Sequence, residues 1–153
     1  MAQRVLPVQY SLRIFRGSFL AIGSVVSAWY NELPGCMACS CLVLATSLNY
    51  WRYPIFGVRR SADMLACACS LTYQLNLAAN TAAPTPRNAY FATVMSGVGC
   101  YGASRYFNFV RRNPDVSSWF HCLLHACGNV GNVILYDSLG TNRVGWQGPP
   151  PTA

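Results

Sequence analysis

The chain of 153 residues contains no lysine, and its positive charge comes from 11 arginines set against only four acidic residues. Charged residues make up 10% of the chain, whereas about a quarter is usual in a soluble domain. Histidine is also scarce, with two residues. This shortage of charge argues against a chain whose main solvent is water.

Most motifs that carry enzyme chemistry are absent from the sequence as well. It has no glycine-rich phosphate-binding loop and no Gly-x-Ser-x-Gly turn around a serine nucleophile. The acids Glu32, Asp63, Asp115 and Asp137 are isolated from one another, so they form no carboxylate pair and are too few for a proton pathway. The sequence therefore predicts no catalytic activity of the chain's own.

Five apolar segments, each close to the length of a membrane-spanning helix, are separated by polar stretches. They comprise residues 17–33, 35–51, 63–80, 88–107 and 117–136. The arginines number 3, 0, 3, 1, 3 and 1 across the six polar stretches, which places nine on one side of a membrane and two on the other. Arginine-rich loops remain on the inner side. The pattern predicts an all-α, polytopic transmembrane bundle of about five helices, with the N-terminus inside and the C-terminus outside.

This interpretation divides the chain into a basic N-terminal arm (1–16), the helical bundle (17–136) and an extended C-terminal tail (137–153). The arm contains three arginines and no acid, which is typical of an organelle-targeting segment. An uncleaved import signal predicts a multi-pass protein of the mitochondrial inner membrane, with a bacterial or endoplasmic membrane as the alternative. Only Pro34 and Gly35 turn the chain between the first two segments, so a re-entrant hairpin is an alternative to two full crossings.

Small residues recur at four-residue spacing in the apolar segments, as at Gly17 and Ala21. The eight cysteines also lie inside these segments, where cysteine behaves as a small hydrophobic residue rather than as half of a disulfide. Such faces allow helices to approach closely. Their spacing leaves open whether the contacts are internal or with other subunits.

Two arginine pairs at the ends of apolar segments, Arg59 with Arg60 and Arg111 with Arg112, are predicted to bind anionic lipid such as cardiolipin. The alternative is that they only determine topology. The sequence predicts no binding of nucleic acid, because the basic residues do not share one polar face with interleaved aromatic residues.

The two histidines stand four residues apart, as His121 and His125, and therefore project from one helical face. Ser47 lies one turn before the end of the second segment, and Asp63 opens the third. The predicted topology places all four side chains near the same membrane face.

These residues resemble the motifs of the membrane hydrolase superfamily of alkaline ceramidases and progestin/adiponectin receptors. The matching pieces are Ser47-Leu-Asn-Tyr-Trp51, Asp63, and His121 with His125. That family is a seven-helix bundle in which three histidines hold zinc, and a serine and an aspartate support a zinc-bound water that cleaves amides. The resemblance implies His121 and His125 as ligands, with Ser47 and Asp63 orienting the water.

The chain departs from this family at its third histidine, where Trp51 stands instead. A catalytic zinc needs three protein ligands and a water. Cys67, one turn beyond Asp63, is the candidate that would complete such a site, whereas a hydrogen-bonded structural role for the histidine pair needs no metal. The structural role is the favoured prediction, without a cofactor.

Together these observations predict a non-catalytic accessory subunit of a large mitochondrial inner-membrane complex, such as a respiratory complex or ATP synthase. Its role would be to scaffold neighbouring membrane subunits and bound lipid. The alternative is a zinc-dependent membrane lipid amidase, similar to ceramidases, or a degenerate relative of one.

Overall fold

The computed structural model describes residues 5–145, apart from the side chains of residues 81 and 141–145. The described chain is all-α, which confirms the predicted secondary-structure class. Its six helices follow one another through short turns: α1 (Val8–Ser18), α2 (Ala21–Tyr30), α3 (Pro34–Trp51), α4 (Val58–Thr81), α5 (Pro84–Phe109) and α6 (Pro114–Gly145).

Proline and glycine set several of the helix boundaries. Pro34, Pro84 and Pro114 each begin a helix, where the missing N–H group removes no intrahelical hydrogen bond. Gly57 precedes α4 with a φ of 142°, a backbone conformation that L-residues rarely adopt. The turns therefore fall near the breaks that the sequence predicts.

The helices differ from the predicted segments at both ends of the chain. The arm predicted at 1–16 contains most of α1, and the segment predicted at 17–33 is divided between α1 and α2. At the other end α6 continues to Gly145, so residues 137–145 of the predicted extended tail are helical. This extension buries Leu139 in the core. The rest of the predicted tail, residues 146–153, lies outside the described residues.

Helix α6 is the central helix of the bundle and packs along α5, α1 and α2. Arg13 of α1 forms an ion pair with Asp115 at 2.8 Å, and the Ser24 N–H of α2 donates to Asn129 Oδ1 at 2.8 Å. Residue numbers along α1 and α2 therefore rise in the same direction as those of the residues that they contact on α6. The first two helices therefore run parallel to α6.

The remaining helices alternate in direction. Ser117 Oγ donates to the Ser104 carbonyl at 2.9 Å, while Tyr90, near the N-terminal end of α5, lies against Gly131. Helix α5 is therefore antiparallel to α6. Apolar side chains fill two clusters between these helices, of which the larger contains Ala28, Leu33, Cys36, Ala78, Ala82, Tyr90, Leu135, Tyr136 and Leu139. The smaller contains Leu6, Ile14, Tyr50 and Trp51.

The predicted small-residue face that begins with Gly17 and Ala21, and continues in the sequence to Ser24 and Ala28, makes contacts within the chain. Ser24 and Ala28 of α2 are buried, and a Cβ at Gly17 would lie 3.0 Å from the sulfur of Cys122 on α6. A Cβ at Gly131 of α6 would lie closer still to a neighbouring helix, 2.5 Å from Thr93 Oγ1 of α5. Close helix approach within this chain thus accounts for these positions.

The predicted transmembrane bundle is wrong. None of the described helices combines the length and the apolar character needed to cross a membrane. Helices α1 and α2 have 11 and 10 residues, well short of the roughly 20 that a bilayer core requires. The longer helices carry polar side chains along their length, as α4 does at Asp63, Gln74 and Asn76. The prediction that the N-terminus lies inside a membrane and the C-terminus outside it depended on this transmembrane bundle and has no support without it.

The alternating arginines instead mark one end of the bundle. The Trp51 ring at the end of α3 packs on His121 near the start of α6, and the Val5 N–H donates to the Pro54 carbonyl at 2.9 Å. The start of α1, the α3–α4 turn and the α5–α6 turn therefore meet at this end, which we call the basic end. Its arginines are Arg13, Arg52, Arg59, Arg60, Arg105, Arg111 and Arg112.

Candidate ligand cavity

A cavity of about 480 Å³ lies between α3 and α4 on one side and α5 and α6 on the other. Helix α4 packs mainly on α3 and makes little contact with α5 or α6, so the space between them is not filled. Most of the wall is apolar, with side chains such as Val43, Met64, Leu71, Val94, Val98 and Leu124. The volume lies within the range of roughly 300–1,000 Å³ that is common for small-molecule sites.

Ser47 and Asp63 form a buried pair in this wall. Ser47 Oγ donates to Asp63 Oδ1 at 2.7 Å, and the Asp63 side chain is only 8% exposed. Burial raises the pKa of Asp63, while hydrogen bonds from Ser47 and Thr46 oppose that rise. The predicted neighbours Ser47 and Asp63 are therefore in direct contact.

The predicted histidine pair lines the same cavity. The rings of His121 and His125 lie 5.2 Å apart, centroid to centroid. Burial, followed by the nearby His125 and Arg105, lowers the pKa of His121 to about 3, and burial lowers the pKa of His125 to about 4. Both imidazoles are thus neutral near pH 7. Among the described residues, His125 Nε2 is a buried atom without a hydrogen-bond partner.

The described residues do not form a zinc site. No group of three histidine, cysteine or acidic side chains among them is placed to hold a metal ion. Trp51, which stands where the resembling family has its third histidine, packs its ring 4.8 Å from that of His121. Burial, with a smaller contribution from the Asp63 charge, raises the pKa of Cys67 to about 12, so this thiol is protonated near pH 7 in the metal-free chain. The proposed ligands His121, His125 and Cys67 therefore do not fit the metal that the resemblance implies.

At the basic end, the cavity wall contains two arginines and a tyrosine. Arg60 and Arg105 both line the cavity, and both act on the hydroxyl of Tyr50, whose pKa is raised by burial against the opposing effect of the two guanidinium charges. Among the described residues, the ion pair of Arg13 is the one salt bridge found, so neither Arg60 nor Arg105 has a carboxylate partner there. The cavity thus ends in two guanidinium groups that form no salt bridge among the described residues, with the Asp63 carboxyl in the same wall.

Arg105 was missed by the sequence reasoning, which selected Arg60 but paired it with Arg59. Arg59, Arg111 and Arg112 are exposed and do not line the cavity. The sequence signal for Arg105 was its four-residue spacing from Phe109, the last residue of α5. In the structure the Phe109 ring packs 4.3 Å from the Arg105 guanidinium carbon.

A second polar group lies toward the other end of the cavity and was also missed. Gln74 Nε2 donates to Tyr136 Oη at 2.8 Å, and Ser40 Oγ lies 3.1 Å from the same oxygen. These side chains come from three helices, α3, α4 and α6, so no local motif joins them in the sequence. Their mutual hydrogen bonds satisfy polar groups that burial would otherwise penalise.

The arrangement suits binding rather than a defined reaction. A largely apolar wall lies beside two guanidinium groups that form no salt bridge among the described residues, and the histidines are neutral near pH 7. Comparisons with protein-family models, curated proteins and solved structures found no match for this chain.

Proposed function

We propose that the chain binds a single-chain anionic amphiphile, such as a fatty acid, in the cavity. The observation that carries this proposal is the pairing of an apolar wall with Arg60 and Arg105 at one end. A guanidinium group binds carboxylate or phosphate oxygens with two parallel hydrogen bonds. The apolar wall would receive the hydrocarbon chain, with about 0.8 kcal/mol gained for each buried methylene.

The proposal specifies which end of the ligand lies where. The Arg60 guanidinium lies 5.3 Å from the centroid of the Phe56 ring, and that of Arg105 lies 4.3 Å from the centroid of the Phe109 ring, so each guanidinium has an aromatic contact that restricts its motion before a ligand arrives. Fixed groups lose less conformational freedom on binding. The head group therefore lies at the basic end, and the hydrocarbon chain extends toward Gln74 and Tyr136.

Replacing Arg60 or Arg105 by glutamine should weaken binding of dodecanoate about ten- to hundredfold, because each change removes a hydrogen bond to a charged group. Isothermal titration calorimetry on the full chain measures this affinity. Arg59→Gln is the matched control, since it removes the same charge from an exposed neighbour that does not line the cavity. Equal weakening by all three substitutions would show that the net charge of the chain, and not the position of the arginine, determines dodecanoate affinity. That result would contradict the proposed head-group site.

The lipid amidase implied by the resemblance stays an alternative prediction, favoured by the contact of Ser47 with Asp63 in the cavity that also contains the histidines. It differs from simple binding in needing zinc. Because the described donors do not converge on a metal, we expect substoichiometric zinc by mass spectrometry of the purified chain. Stoichiometric zinc that is lost in the His121→Ala, His125→Ala variant, together with amide hydrolysis, would favour the amidase instead.

The scaffolding role in a mitochondrial complex also stays a prediction, because the contacts within this chain do not test it. Co-purification of partner subunits in stoichiometric amount with this chain would support that role. Ligand binding in the cavity is compatible with such a role, since the cavity lies within one chain.

A further inference from the structure

The tips of two turns at the basic end expose apolar side chains. In the α3–α4 turn, Phe56 is 54% exposed and Val58 is 86% exposed. In the α5–α6 turn, Phe109 is 51% exposed and Val110 is 65% exposed. Four exposed apolar residues at one end of a small bundle form a surface that water solvates poorly.

Exposed arginines flank these apolar side chains. Arg52 and Arg59 lie beside the first pair in the sequence, and Arg111 and Arg112 follow the second, and all four are exposed. The two acids of the described chain at this end do not oppose them: Asp63 is buried against Ser47, and Asp115 pairs with Arg13. The surface is therefore both apolar and strongly positive.

Residues behind the two turns line the same cavity. Arg60 follows the first turn and Arg105 precedes the second, and both guanidinium groups act on the Tyr50 hydroxyl between them. Each arginine also packs on an aromatic ring of its own turn, Phe56 or Phe109. The exposed side chains of both turns therefore lie at the same end of the bundle, around the mouth of one cavity.

We propose that this surface docks on an anionic lipid bilayer, with Phe56, Val58, Phe109 and Val110 inserted at the interface and the flanking arginines on lipid phosphates. Interfacial binding of this kind needs apolar area together with positive charge and does not need a helix that crosses the membrane. Each arginine near an anionic surface contributes about fivefold to the partition coefficient. An acidic protein or nucleic acid would use the arginines but would gain little from the inserted apolar side chains.

Co-sedimentation of the full chain with phosphatidylcholine vesicles, with and without phosphatidylglycerol, tests the proposal. We expect binding only to the vesicles that contain phosphatidylglycerol, and weaker binding as salt concentration rises. The Arg59→Gln, Arg111→Gln variant should bind roughly twentyfold more weakly. Val58→Ser with Val110→Ser should also weaken binding, although it leaves the net charge unchanged.

Arg87→Gln is the charge control, because Arg87 lies at the start of α5, at the opposite end of the bundle. It should change vesicle binding little compared with Arg111→Gln, which alters net charge by the same amount. Equal loss from Arg87→Gln and Arg111→Gln, or no loss from the valine substitutions, would overturn the proposal. The docking surface does not depend on the cavity ligand. A failure of dodecanoate binding in calorimetry would therefore contradict the proposed cavity ligand, while the vesicle experiment would still test membrane docking.

Discussion

Leucine in place of Gly128 is expected to block the cavity while leaving the bundle folded. Gly128 lines the cavity, and a Cβ added there meets no atom within 4 Å, so a leucine side chain can extend into open space without a clash. It would exclude about four methylenes of a bound chain, which weakens binding by roughly two orders of magnitude. Calorimetry with dodecanoate measures this loss.

Stability should change in the opposite direction from affinity. Glycine within a helix is about 0.8–1 kcal/mol less favourable than a good helix former, so Gly128→Leu should raise the melting temperature. Gly102→Leu is the matched control: Gly102 lies within α5, a Cβ there also meets nothing within 4 Å, and the residue does not line the cavity. Gly102→Leu should retain dodecanoate binding. Undiminished binding by Gly128→Leu would place the ligand outside this cavity.

The arginine pattern shows what sequence reasoning could and could not provide. In an antiparallel bundle successive turns lie at opposite ends, so arginines confined to alternate turns collect at one end whether or not a bilayer surrounds the helices. The alternation of Arg52, Arg59 and Arg60 with the single Arg87 therefore predicted the charge asymmetry but not its cause. The cause depends on where the helices begin and end, and with the observed boundaries none of the described helices is both long and apolar enough to cross a membrane.

The site was predictable only where residues share a helix or adjacent helix ends. His121 and His125 follow from a four-residue spacing, and the contact of Ser47 with Asp63 joins helices connected by one short turn. Tyr136 with Gln74 joins residues 62 positions apart, and no periodic pattern specifies such a pair. Only the folded bundle brings Gln74 of α4 and Ser40 of α3 to the Tyr136 hydroxyl of α6.

Acid should destabilise the fold well above the pH at which most carboxylates are protonated. An unfolded histidine has a pKa near 6.5, whereas burial lowers the pKa of His121 to about 3 and that of His125 to about 4 in the folded chain. Between these values the unfolded chain binds more protons than the folded chain, so stability falls as pH decreases through the window. Each histidine contributes roughly 1.4 kcal/mol per pH unit, and two pH units give a loss on the order of 5 kcal/mol.

Asp63 acts in the opposite direction, because burial raises its pKa and its neutral form favours the folded state as pH falls. One carboxyl opposes two histidines, so the net free energy of unfolding should still decrease from about pH 6.5 to about pH 4.5. Urea unfolding at a series of pH values measures this slope. The His121→Gln, His125→Gln variant lacks both protonation sites and should lose little stability across the same window, even if its stability at neutral pH is lower. A slope that persists in this variant would assign the acid sensitivity to other groups, and the neutral buried histidine pair would no longer explain it.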